Sequence, residues 1–257
     1  MLLIRWLHKW FGLVLGLQFL LWAVSGAVMA LLDHHEVSAE RAVLPVAQIA
    51  APAEPLSLAR IVERVGAPIL KLQLKPLFDT YVYEVTTAAG VQLLDAASGA
   101  PIPIDAAKAK TLAVARYSGA EPVRSVDRVD RPTLETRDVS LPVWRVEFAD
   151  KDRNTLLVSA TTGEVLGAKN DTWRLWDIAW MLHIMDYQER QSFNHPLIIT
   201  VACGAAWLAL SGLILLFRSF RRSDVSWLLD PWDAFAARRR RARAPAEAAP
   251  KAARDVS

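Results

Sequence analysis

The sequence predicts an α+β protein in which two transmembrane helices flank a globular insert. Three observations predict it. Two uncharged apolar runs, residues 10–32 and 196–217, stand near opposite ends of the 257-residue chain. Each exceeds the roughly 20 residues that a helix needs to cross a hydrocarbon layer of about 30 Å. The about 160 residues between them repeat one pattern twice, a helical stretch followed by antiparallel strands.

Residues 1–9 carry Arg5 and Lys9 and no acid. Short basic flanks stay on the cytoplasmic side, so this segment is predicted to be cytoplasmic. Residues 10–32 form the first span. Val37-Ser38-Ala39 would suit a signal peptidase, but the uncharged run of 23 residues is longer than the about 7–15 residues of a signal-peptide core, so an uncleaved anchor is expected. Gly12 and Gly16 make a GxxxG, and Ser25-Gly26 adds a second small patch. Small residues let helices approach closely, and the expected partner is the other span, with a homodimer as the alternative. Trp6 and Trp10 fit an interfacial belt.

Residues 33–55 read as a linker. Residues 56–104 and 105–170 read as two helix-plus-antiparallel-sheet units. Helical stretches are expected at 57–65 and 105–117. The alternating strings Y-V-Y-E-V-T-T (81–87) and P-V-W-R-V-E-F (142–148) then read as strands, answered by 91–95 and 155–159. Glycine turns and short apolar exits follow at 98–102 and 162–166. The mixed charges of 124–138 read as a solvated loop.

In residues 171–195, Trp173, Trp176, Trp180, His183 and Tyr187 recur at steps of 3, 4, 3 and 4. That spacing draws one stripe on a helix, read as an amphipathic helix at the outer membrane interface. Pro196 suits the first turn of a helix, so the second span is placed at 196–217, with Gly204, Ala205, Ala209 and Ser211-Gly212 as its small residues. Cys203, the sole cysteine, reads as a packing residue. Residues 218–257 hold ten Lys/Arg against five Asp/Glu and read as a basic cytoplasmic tail. It contains a short amphipathic piece at 226–232, with Trp227 and Trp232 as anchors, and an Ala/Pro-rich end expected to be disordered.

The insert, 33–195, has 18 basic and 22 acidic residues. With basic flanks on both sides, both termini are predicted inside and the insert outside, periplasmic in the inner membrane of a Gram-negative bacterium. A basic block just inside a membrane meets anionic headgroups, so nucleic acid is not an expected partner. The insert contains no H-E-x-x-H, no G-x-S-x-G and no nucleotide-binding glycine loop. Those hydrolase and dinucleotide classes are therefore not predicted.

The string W-R-V-E-F…L-L-V-S-A-T-T-G-E-V-L in 144–166 resembles a PepSY domain, and the earlier unit resembles a weaker copy. R-W-L-H-K-W-F-G-L-V-L-G at 5–16, the Leu182-His183 pair and L-S-G-L-I-L-L at 210–216 resemble the PepSY-associated transmembrane family. The resemblance covers most of residues 3–220 and leaves out the tail beyond Arg222. It implies two kinds of function. Isolated PepSY domains are associated with peptidase regulation and partner binding at the cell surface. Membrane-embedded members include siderophore-linked ferric reductases that hold b-type haem between helices. Many of those have four membrane helices where this chain has two, which argues against complete electron transfer by one copy.

All five histidines lie at the membrane edges of the sequence: His8, His34, His35, His183 and His195. Neutral imidazole is an axial ligand of haem iron, which makes these the candidate haem b residues. His8 and His183 also match the family motifs, so they are the candidate metal ligands. The 26 residues from His8 to His34 span about 39 Å as a helix, so these two cannot share a haem. An outer haem would take His34 or His35 with His183, and His195 as substitute. No histidine near the inner end of the second span accompanies His8, so an inner haem would need another subunit. The chain has no flavin or nicotinamide motif. A redox role therefore calls for a cytoplasmic flavoprotein donor and a periplasmic ferric-chelate acceptor. The alternative is a tethered, non-enzymatic module that binds a periplasmic protein.

Overall fold

The computed structural model describes residues 2–46, 49–50, 54–219 and 226–243. Its described residues divide between two compact units, one containing 2–16, 201–219 and 226–243, the other those from 17 to 200. Helix α1 (Leu2–Leu31) contributes to both.

The unit of residues 17–200 is built on two antiparallel meanders. Strands β1 (Ile69–Leu77), β2 (Thr80–Thr87) and β3 (Gly90–Asp95) form the first sheet in that order. Strands β4 (Val123–Val129), β5 (Val143–Phe148), β6 (Thr155–Ser159) and β7 (Val165–Lys169) form the second. Helix α3 (Leu58–Val65) precedes the first sheet and α4 (Ala106–Arg116) the second. The Asp105 carboxylate caps α4 by accepting the Lys108 N–H at 2.8 Å, the usual device for an orphan first-turn donor.

Alternation along β2 and β3 gives the first sheet two apolar faces. Tyr83, Val85 and Leu94 pack with Ile61 of α3. Val82 and Leu93 join a larger core with Ala109, Leu112 and Ala113 of α4 and Val146, Phe148, Leu156 and Val158 of the second sheet. The two repeats thus share a core, and α4 is its centre. Lys75 of β1 ties the sheets together, donating to Glu84 at 2.5 Å and to Glu164 at 2.6 Å.

Several expectations need correction. The linker 33–55 is not a bare connection. It holds α2 (His34–Val37) and a 3-10 turn at Glu40–Ala42, and Ala39 and Ala42 enter the larger core. Strand β1 has no counterpart in the sequence reading, because its hairpin to β2 turns on Phe78-Asp79 rather than a glycine pair. Phe78 takes a φ of 58°, where glycine or asparagine normally sits. The solvated loop of 124–138 begins as β4, an edge strand whose charges sit on the open side, a common guard against edge pairing. Arg124 and Arg128 are half-exposed and bond Glu147 and Asp130. Cys203 is exposed, because the packed face of its helix runs through the neighbouring Gly204.

The other unit contains the first half of α1, helix α6 (Pro196–Ser219) from residue 201 onward, and α7 (Ser226–Arg243). Gly12 lies against Leu208, and a Cβ placed at Gly204 would stand 3.2 Å from Leu15. These glycines seat the side chains of the facing helix within this chain, whereas nothing lies within 4 Å of a Cβ at Gly16. Helix α7 carries the 226–232 piece on through Arg238 to Arg243. The Ala/Pro-rich end lies outside the described residues, as does the side chain of Trp227.

Helices α1 and α6 are long and apolar enough to cross a membrane. Only 11% and 6% of their most apolar stretches are buried, far too little for core helices of a water-soluble protein.

Candidate functional site

Seen along its axis, α1 gathers His8, Gly12, Leu15, Gln18, Trp22 and Ser25 onto one face, at steps of three and four residues. In an apolar helix this is the side that carries the polar groups. Leu15 and Ser25 are buried.

Near the start of this face, His8 Nδ1 lies 2.8 Å from Ser211 Oγ of α6. The ring edge rests on the next residue: a Cβ at Gly212 would stand 3.1 Å from His8 Cε1. Near the far end of α1 the arrangement recurs with other elements. His183 belongs to α5 (Asp171–Ile184), and its Nδ1 lies 3.2 Å from Ser25 Oγ. Its Cε1 would lie 3.4 Å from a Cβ at Gly26. Trp22 Nε1 donates to the His183 carbonyl at 2.7 Å, holding the end of α5 against α1. The two small patches noted in the sequence are thus seats for the two motif histidines. Among the described residues neither His8 nor His183 bonds a protein group through Nε2.

Helix α5 is held by charge. Asn170 caps it by accepting the Trp173 N–H at 2.7 Å. Asp177, buried on α5, accepts from Arg137 and from Arg190, each at 2.5 Å. Glu135 joins Arg174 of α5 to Arg145 of β5, both at 2.8 Å. Burial alone would raise the Glu135 pKa, but hydrogen bonds and charge from the two arginines bring it below the usual glutamate range.

The aromatic stripe is partly buried within the fold. Trp173 is buried, with Lys169 Nζ 4.1 Å above its ring. Trp176 and Trp180 stack at 5.4 Å, and Phe193 meets Trp180 edge-on. Helix α5 ends at Ile184, short of the 171–195 expected, because Met185 turns to a φ of 56°. The Asp186 carboxylate then draws in the N–H groups of Glu189 at 3.1 Å and Gln191 at 3.0 Å. Such side-chain turns compete with a helix. Partial burial opposes ionisation of Asp186, yet these backbone donors hold its carboxyl well below the usual range. Tyr187 therefore leaves the stripe and is exposed.

The remaining histidines have local partners. His195 Nε2 donates to the Ile184 carbonyl at 3.0 Å, satisfying the last carbonyl of α5. His35 Nδ1 donates to Glu40 at 2.9 Å in the open. His34 is exposed, its ring 6.2 Å from that of His35. No hydrogen bond or ring contact among the described residues brings His34, His35 or His195 to His183. Nor does any group of three or more His, Cys, Asp or Glu among them form a metal-ion cluster.

Sequence reasoning missed Gln18. Its amide nitrogen is buried without a hydrogen-bond partner in the described residues, on the α1 face between His8 and Ser25. The signal was present as the one carboxamide in an apolar run, where polar groups are costly.

A family comparison completes this picture. The model of the PepSY-associated TM region matches residues 5–246. The chain belongs to that family. The match takes in both apolar helices and the whole insert, and it runs into the basic tail, past the Arg222 limit the sequence reading had set. Searches of curated proteins and of solved structures gave no match.

Proposed function

We propose that this chain of the PepSY-associated TM region family is an inner-membrane haem b subunit. It assists electron transfer from a cytoplasmic flavoprotein towards a periplasmic ferric chelate, with both termini cytoplasmic and the insert of two PepSY-like units periplasmic. One observation carries this reading. The two histidines in the family motifs are the two held by a serine through Nδ1, leaving Nε2 free to act as an axial ligand. A ligating imidazole whose other ring nitrogen is engaged is the usual arrangement at metal centres. The buried amide of Gln18 on the same face adds a donor without a protein acceptor.

When bound, haem would supply one-electron chemistry. The residues supply the rest: His8 and His183 offer ligands, Ser25 and Ser211 orient them, and the apolar helices exclude water. Each unit presents one such imidazole, so a haem that needed two protein ligands would draw the other from another copy or subunit. The bonds of α1 to His183 and to Ser211 support a retained first helix, since a removed signal peptide would leave both partners unmet.

The test is a reduced-minus-oxidised spectrum of full-length protein purified in detergent from haem-replete cells. Low-spin haem bands that fade in His183→Ala are expected. Colourless protein would refute the reading.

The tethered binding module is favoured by a different feature, a cavity of about 320 Å³ lined by Leu77, Phe78, Leu112, Glu164 and Val165. That volume is at the lower limit for small-ligand sites. Crosslinking from Phe78 in intact cells would capture a partner on this reading and nothing on the redox one.

A further inference from the structure

Each serine hydroxyl has one proton, and a backbone carbonyl one turn back takes it. Ser25 Oγ donates to the Leu21 carbonyl at 2.7 Å, and Ser211 Oγ donates to the Leu208 carbonyl at 3.0 Å. Carbonyl oxygens only accept. Each hydroxyl is therefore left with lone pairs to offer the imidazole, and the proton of the shared bond must sit on Nδ1. In the neutral ring, that leaves Nε2 of both His183 and His8 as a bare lone pair.

We infer that Ser25 and Ser211 are positioning residues that lock His183 and His8 in the Nδ1–H tautomer, with Gly26 and Gly212 as the gaps that let the rings seat. An unconstrained imidazole in water favours the opposite form, Nε2–H, so the seat does chemical work. His195 supplies an internal contrast. Its Nε2 faces a carbonyl oxygen and must carry the proton, which disqualifies that nitrogen as a ligand. The same Ser-Gly step serves two histidines on different helices, in each of the two units separately. The purpose of the lock, presenting Nε2 to haem iron, rests on the haem reading. The tautomer itself does not.

The glycines differ in tolerance. A Cβ at Gly26 meets His183 Cε1 at ordinary contact distance, 3.4 Å, whereas one at Gly212 stands 3.1 Å from His8 Cε1. Gly26→Ala is therefore expected to leave its histidine seated. Gly212→Ala is expected to displace His8 and weaken its serine bond.

The experiment uses full-length protein with ring-¹⁵N-labelled histidine, purified without haem in detergent at neutral to mildly alkaline pH. Two-bond ¹⁵N–¹H correlation reads each ring, assigned by loss of signal in His8→Gln and His183→Gln. Both are expected to show a protonated Nδ1 and a bare Nε2, and His195 the reverse. Ser25→Ala should release His183 alone to an Nε2–H mixture, and Ser211→Ala His8 alone; Ser25→Thr and Ser211→Thr should restore the lock. Nε2–H at both rings in the unaltered protein would overturn the inference, as would serine variants that leave the tautomers unchanged. Haemin titration of the same samples separates the two claims. Locked tautomers without haem uptake would sink the haem reading and leave this one standing. Haem uptake with unlocked rings would do the opposite.

Discussion

The insert and the apolar helices treat polar groups differently. In the insert, the buried carboxylate and lysines are paired: Asp177 with two arginines, Lys75 with two glutamates, and Lys169 with Asp138 at 2.9 Å, while Arg190 Nε and Asn154 Oδ1 stay buried without a partner among the described residues. Along α1 and α6 the few polar side chains stop short of that. His8 on α1 spends one ring nitrogen and keeps the other, as does His183 of α5 where it meets Ser25 of α1, and the Gln18 amide keeps a buried donor unused. Unmet polar groups cost more in an apolar setting than in water. The ring nitrogens left open thus lie on α1 and on α5 where it meets α1, whereas the paired charges of the insert join its own elements.

That contrast can be broken or sharpened by substitution. The largest effect is expected from Asp177→Ala, which strands two arginines around a buried site. Removing one partner of a buried pair typically costs about 3–5 kcal/mol, and chemical denaturation of detergent-solubilised protein should show a loss of that order. Gly163→Ala comes next. Gly163 has a φ of 69°, and a Cβ there would stand 2.9 Å from Leu77 and 3.0 Å from Leu112. Overpacking of this kind costs roughly 1–3 kcal/mol, to be read in the same assay. If either change is silent, these contacts do not hold the insert together.

Acid should act on the insert ahead of the helices. Arg153 and Arg174 keep the Asp171 carboxyl below its usual range, as other partners do for Glu135 and Asp186. Their folded pKa values lie below the unfolded ones, so the stability they contribute is complete above the unfolded values and fades as pH falls through the folded ones. Melting temperature should hold from pH 7 to about pH 5 and then drop below about pH 4. Helical circular dichroism from α1 and α6 should outlast the loss of tertiary signal. The smallest effect is expected from Gln18→Leu without haem. Replacing an unpaired buried amide with an apolar group of similar shape is close to neutral or stabilising, by at most about 1 kcal/mol, in a thermal melt.

Much of the architecture was legible because its signals are local. Charge-free runs marked α1 and α6, Pro196 marked the start of α6, and strict alternation marked β2 and β5. What stayed hidden depends on tertiary context. Strand β1 turns on a phenylalanine with positive φ, β4 is polar because it is an edge, and α5 stops where Asp186 captures backbone donors. The histidines were legible as a set by position alone. Their division into seated and locally bonded rings was not, because Ser25-Gly26 and Ser211-Gly212 looked like helix-packing patches until the rings resting on them were seen.

The most direct test compares the redox-difference spectra of full-length His8→Ala, His183→Ala, His35→Ala and His195→Ala proteins from haem-replete cells. Loss or weakening of the haem bands is predicted for His8→Ala and His183→Ala, with full bands in His35→Ala and His195→Ala, whose rings already serve Glu40 and the end of α5. Bands that survive the first pair of changes and vanish with the second would contradict the assignment.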